Sequence, residues 1–199
     1  MDAHQKKASR DRRCLVFIDE SGVLMGPLLR RTWAPRGQTP QLFQRGRHRE
    51  KVSIVAALWW APWRRVSLGL HYQSLVNGYY NNVRVVEFLE DLMRELPEKL
   101  LIVWDGGGMH KGDPIHDAEA KFAPRLHLER LPPYAPMLNP VETVWSWLKH
   151  SRLANYVPTD AATSNKRIHE ELDSIRDNHE FLRSMWQASE LPLPVAFFM

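Results

Sequence analysis

Cysteine is nearly absent: Cys14 alone in 199 residues. That excludes an internal disulfide and a cysteine-based zinc site. Cys14 stands in an apolar run, so a buried, inert thiol is expected. Long apolar stretches are missing too. The longest, residues 54–63, is far short of the roughly 20 residues a spanning helix needs. The N-terminus is polar and basic, without the apolar centre of a secretion signal. No membrane is implied, and a cytoplasmic location is the default expectation. Internal repeats and low-complexity tracts are missing. The nine histidines show no His-x-x-x-His zinc spacing.

Acidic residues are scarce in the first third. Residues 1–65 carry 14 Lys/Arg against 5 Asp/Glu, a net of +9, whereas residues 66–199 carry 13 against 18, a net of −5. The overall +4 hides this asymmetry. A basic excess confined to one region is the electrostatic footprint of a phosphate-backbone partner. The plainer alternative is a solvated basic surface. The hydrophobic fraction of 44% and charged fraction of 25% suit a folded domain with a full core.

Residues 1–13 are polar and basic and predict a flexible tail. Residues 14–18 are uniformly apolar and predict a strand buried on both faces. Residues 28–33 predict a second strand and 34–49 a long basic loop. Strands are expected at 52–60 and 66–72, and a helix from Asn81 or Asn82 to about Leu96, ended by Pro97. A strand at 100–104, a helix at 115–123, a strand at 126–131 and a helix at 141–150 follow. An amphipathic stripe of Ile168, Leu172, Ile175, His179, Leu182 and Trp186 predicts one last helix over 160–188. Strands first, then strand–helix alternation, points to a mixed sheet in an α/β fold.

Three carboxylates stand in matched settings. Asp19 and Asp105 each follow an apolar run, and Glu142 opens a helix. Strand ends of an open α/β sheet are where such folds place their sites. Three converging carboxylates make an oxygen-rich nest for hard cations such as Mg2+. Each acid also has a structural alternative. Asp19 and Asp105 can be turn formers. Asn139, Pro140 and Glu142 fit a capping box, in which the glutamate faces its own backbone. Glu20 points away from Asp19 if the strand continues, which makes it the weaker ligand candidate. Trp145 and Leu148 are expected in the core, with Trp147 more exposed. Trp59, Trp60 and Trp63 read as packing residues.

Leu131-Pro132-Pro133-Tyr134-Ala135-Pro136-Met137-Leu138-Asn139-Pro140-Val141-Glu142 closely resembles the third-acid signature of the DDE transposases of bacterial insertion sequences, in the mariner-related branch. Phe17-Ile18-Asp19-Glu20-Ser21 resembles their first-acid segment. Trp104-Asp105 with Met109-His110-Lys111 resembles the second. The resemblance covers about residues 14–156. It implies an RNase H-like mixed sheet flanked by helices; residues 157–199 lie beyond it and are expected, from their amphipathic stripe, as a helical extension packed on the same domain. It also implies Mg2+ (with Mn2+ substituting) held by Asp19, Asp105 and Glu142, for DNA cleavage and strand transfer at transposon ends. A homodimer or higher assembly would form in the synapse. Candidate DNA contacts are Arg45, Arg47, Arg49, Lys51, His110 and Lys111.

One departure stands out. The family usually has Asn after its second acid, and here Gly106 follows. Only thirteen residues precede the first strand, where relatives usually carry helix-turn-helix domains. The resemblance therefore implies that DNA recognition comes from an upstream reading frame or a partner chain, or has been lost. A catalytically inactive DNA-binding relic is the alternative. A carboxylate-pair glycoside hydrolase fits the basic front poorly.

Overall fold

The computed structural model describes residues 8, 11–43, 50–189 and 191. Five strands form one sheet in the order β3-β2-β1-β4-β5. They are β1 (Cys14–Leu24), β2 (Lys51–Trp60), β3 (Leu68–Val76), β4 (Leu100–Trp104) and β5 (Leu126–Arg130). The first three pair antiparallel, while β1–β4 and β4–β5 are parallel. The helices are α1 (Asn82–Glu95), α2 (Asp113–Phe122), α3 (Val141–Trp147), α4 (Ala161–Arg176) and α5 (His179–Gln187).

The alternation of side chains along β1 separates the two layers of core. Leu15 and Phe17 pack with Val144, Trp145, Ile168, Leu172, Leu182 and Trp186 of α3, α4 and α5. Phe17 meets Trp186 edge-on, with centroids 5.4 Å apart. Cys14, Val16 and Ile18 pack on the other face with Val85, Phe88, Leu89 and Ile115 of α1 and α2. Burial of Cys14 pushes its thiol pKa up, as expected for an inert side chain.

Several boundaries differ from the sequence expectation. β1 continues to Leu24, well beyond the apolar run. Its parallel ladder with β4 ends at Phe17↔Val103, but the antiparallel ladder with β2 runs on to Leu24↔Lys51. Backbone pairing with one neighbour keeps a polar stretch extended that its side chains alone would not. The expected strand at 28–33 does not form; Leu28 makes one isolated bridge to Ala154, and Leu29, Trp33 and Phe43 stand exposed. β3 begins and ends later than expected, at Leu68 and Val76, because its register is set by β2.

The last helix is two. The break falls after Arg176, and Asn178 caps the second by accepting from the Phe181 amide at 3.0 Å. An asparagine cap competes with helix continuation. Most of the apolar stripe crosses the break and stays buried, but His179 is exposed. Asn81 caps α1 as expected, accepting from the Arg84 amide. α3 runs into a π turn at Leu148–Arg152. Among the described residues, no helix is long and apolar enough to cross a membrane.

Candidate active site

Asp19 lies two residues beyond the last parallel pair of β1, and Asp105 directly follows β4. By alternation both belong to the face that carries Leu15, Phe17, Leu101 and Val103, the face covered by α3. Glu142 comes from the first turn of α3. The three acids line one cleft of about 650 Å³, together with Lys111, Arg130 and the Pro132–Pro136 loop.

The register between β1 and α3 is set by two side chains. Asn139, only 2% exposed, donates from Nδ2 to the Ile18 carbonyl at 3.2 Å. Its Oδ1 accepts from the Val141 amide at 3.1 Å. Trp145 Nε1 donates to Asp19 Oδ2 at 2.8 Å. The Asn139 carboxamide thus takes the capping work, and Glu142 stands exposed in the cleft. Thr143 Oγ1 donates to the Pro140 and Met185 carbonyls, which also ties α3 to α5.

Asp19 carries the marked electrostatic shift. Burial, then the charge of Glu142, pushes its pKa up to about 7; the Trp145 N–H opposes this, and Glu20 and Asp105 add to the rise. Oxygen donors facing a half-buried carboxylate short of positive charge fit a hard divalent cation. Among the described residues, no three His, Cys, Asp or Glu side chains are drawn tightly enough together to close round an ion. The three acids share the cleft and stand apart.

Asp105 is differently supported. Its side chain is 59% exposed, yet Oδ1 accepts from the Gly107 amide at 2.8 Å and lies 2.7 Å from His110 Nδ1. A β-carbon on Gly107 would fall 2.9 Å from that same oxygen, so only glycine allows this close approach. Beside Gly106 there is open space, with nothing within 4 Å of a β-carbon built there.

His110, a candidate DNA contact, has its side chain turned inward and 0% exposed. The ring stacks on Trp104, with centroids 4.4 Å apart and planes 6° apart. Nε2 donates to Glu20 Oε1 at 3.0 Å, and Nδ1 also reaches the Asp105 carbonyl at 3.2 Å. Burial pulls its pKa down, but Glu20 and Asp105 together prevail, and the net direction is up. Glu20 faces this side because β1 continues, opposite to Asp19.

Lys111 is exposed at the cleft. Lys51 lies farther along β2, its ammonium 3.0 Å from the Tyr79 ring centre. Arg45, Arg47 and Arg49 lie outside the described residues. Two cleft residues went unforeseen. Arg130 ends β5 there. Tyr134 stands 99% exposed on the lip, at a left-handed φ of 59°. Trp145 was foreseen only as core; its spacing of three from Glu142 was the available clue to a shared helix face.

No curated protein matches the chain closely enough to count as a relative. Solved structures do. A Mos1 transposase paired-end complex with the left transposon end superposes with a TM-score of 0.63 at 17% identity, covering 94% of this chain and 59% of that one. The Mos1 mariner paired-end complex with Mg gives 0.61 at 19%, covering 92% and 57%. The catalytic domain of Mos1 mariner transposase gives 0.57 at 16%, covering 94% and 84%. The chain therefore spans under three fifths of those two longer Mos1 chains. At these identities the likeness establishes the fold, which is RNase H-like. A family model described as DDE superfamily endonuclease matches residues 14–163. That match takes in all three acids of the cleft, and the chain belongs to the DDE superfamily endonucleases.

Proposed function

We propose that this chain is a transposase catalytic domain that cuts DNA at insertion-sequence ends and joins the freed end to a target. The observation that carries this reading is the meeting of Asp19, Asp105 and Glu142 in one cleft, from two adjacent parallel strands and a facing helix. Residues 14–156 form the catalytic unit, and the helices of 157–199 close its core. Asp19, Asp105 and Glu142 would hold Mg2+ or Mn2+, the ions named for two Mos1 paired-end complexes. When bound, such ions activate an attacking oxygen and stabilise a leaving one at a phosphodiester.

The chain's own residues supply position and charge. Trp145 aims Asp19, and Asn139 holds α3 against β1. Lys111 and Arg130 give the cleft positive charge for backbone phosphates. Arg45, Arg47, Arg49 and Lys51 would neutralise further backbone phosphates. The DNA is a transposon end and a target, bound in a dimer or larger synapse. A helix-turn-helix partner chain would read the end sequence.

Strand nicking of duplex DNA carrying the element's ends, in Mg2+ or Mn2+ and with any partner chain supplied, tests the reading. Metal-dependent nicking abolished by chelation supports it. Tight DNA binding without metal-dependent nicking would assign the chain instead as an inactive relic. Changing Arg45, Arg47 and Arg49 together to Ala should weaken DNA binding and reduce the salt slope of log K by about 0.9 for each phosphate left unneutralised.

A further inference from the structure

Asp105 is exposed, follows a strand and precedes three glycines. A carboxylate in that setting would sample many rotamers. Its Oδ1 instead accepts from the Gly107 amide and lies in ion-pair contact, at 2.7 Å, with His110 Nδ1, which also hydrogen-bonds the Asp105 carbonyl at 3.2 Å. His110 is itself fixed on three sides. Trp104 lies flat against one ring face, Glu20 accepts from Nε2, and no part of the side chain reaches solvent. Glu20 belongs to β1 and Asp105 follows β4, so the imidazole ties together the two segments that present the aspartates.

We propose that His110 is a positioning residue: mounted on Glu20 through Nε2, it aims the Asp105 carboxylate through Nδ1. This rests on the metal-dependent reading of the cleft. It also accounts for Glu20. That side chain is 13% exposed and faces away from the cleft, where a metal ligand would be useless and a mount for His110 is useful. It bears on Gly106 as well. A side chain at 106 is dispensable for orienting Asp105, because the restraint comes from Gly107 and His110.

Two substitutions separate the ring nitrogens. An Asn side-chain nitrogen sits two bonds from Cβ, as His Nδ1 does, so His110→Asn keeps a donor toward Asp105 and removes the mount. His110→Gln places its nitrogen one bond farther out, as His Nε2 is, and so keeps the Glu20 interaction and releases Asp105. Mn2+ affinity measured by calorimetry without DNA is the readout, beside the melting temperature of each metal-free protein. His110→Gln and His110→Ala should bind about tenfold or more weakly, while His110→Asn stays within about threefold of the wild type. A merely structural role would rank the variants by melting temperature instead.

Wild-type affinity in His110→Gln would overturn the proposal, as would His110→Asn binding as weakly as His110→Ala. Should the variants not fold, nitrogen NMR of the wild-type imidazole still decides. Mg2+ should move the Nδ1 resonance and leave Nε2 nearly in place; equal movement, or none, overturns it. A wild type that binds no Mn2+ overturns the carboxylate site, and the positioning role with it. That failure is visible before any variant is made.

Discussion

At one end of the cleft, Asp19 is half-buried between Trp145 and Glu142, with one N–H donor and a neighbouring acid. At the other end, Asp105 is exposed, yet it is braced by a backbone amide and an imidazole that Glu20 supports. The first arrangement holds repulsion that a cation would relieve. The second is settled before any cation arrives. Both aspartates occupy the same face of neighbouring strands, so the difference comes from what packs behind them. α3 brings an acid and an indole to Asp19, and the turn after β4 brings a histidine to Asp105. An electrostatically strained end costs stability and is stored capacity for binding. A braced end costs little and supplies geometry.

Chemistry should erase the contrast. Asp19→Asn and Asp105→Asn are each expected to lower Mg2+-dependent nicking by about a thousandfold or more, roughly 4 kcal/mol in the barrier. Nicking assays over a range of Mg2+ would show it, and a variant that still cuts at near wild-type rate would remove its residue from the site.

Stability should expose the contrast with opposite signs. In metal-free protein Asp19 keeps its proton up to about pH 7, against an ordinary value of 3.8. Between those values the unfolded chain has released a proton that the folded chain still holds. Folding stability therefore falls as pH rises from about 4 to about 7 and is level above that. Asp19→Asn should remove this penalty and gain about 1–3 kcal/mol at pH 8, with little gain at pH 4. Asp105→Asn should destabilise by about 1 kcal/mol, since it removes the ion-pair contact with His110. Urea melts in chelator at the two pH values measure both; the same sign for both variants would break the comparison.

Smaller changes sharpen it. Trp145→Phe deletes the donor to Asp19 and leaves a small space in the core. Metal affinity near pH 7 should drop a few-fold and stability by about 2 kcal/mol, read by calorimetry and thermal melts. The smallest effects should come at the glycines. Gly106→Asn enters open space and should leave the melting temperature unchanged and nicking within about threefold. Gly107→Ala forces a methyl onto Asp105 Oδ1 and should slow nicking more than Gly106→Asn does. The reverse order would mean that the brace at Asp105 does not govern its aim.

Much of the fold was legible because the relevant signals are local. The runs at 14–18 and 100–104 are apolar on both faces, and both form strands buried by helices on either side. Asn81 before an amphipathic run announced α1. The polar half of β1 was not legible. Asp19, Glu20, Ser21 and Gly22 stay extended because β2 pairs with them, and β2 begins 27 residues after β1 ends at Leu24. The split of the last helix was missed because the apolar stripe keeps its period across Asn178 while the backbone does not. The buried setting of His110 was hidden because its spacing from Asp105 gives no hint of Glu20, 90 positions away.

The sequence by itself determined which residues are candidates for the site, an α/β fold and a basic first third, because residue type, hydrophobic period and charge are properties of the chain. Tertiary structure decided how those residues face one another. It placed Asp19 and Asp105 on one face and Glu20 on the other, since the parity of β1 acquires a meaning only once α3 covers one side of the sheet. It freed Glu142 from capping by giving that task to Asn139. It turned His110 inward, where a ring stacked on Trp104 meets carboxylates from two strands. The physical reason is the same in each case: burial and hydrogen-bond partners are set by contacts between segments far apart in the chain, and no local pattern encodes them.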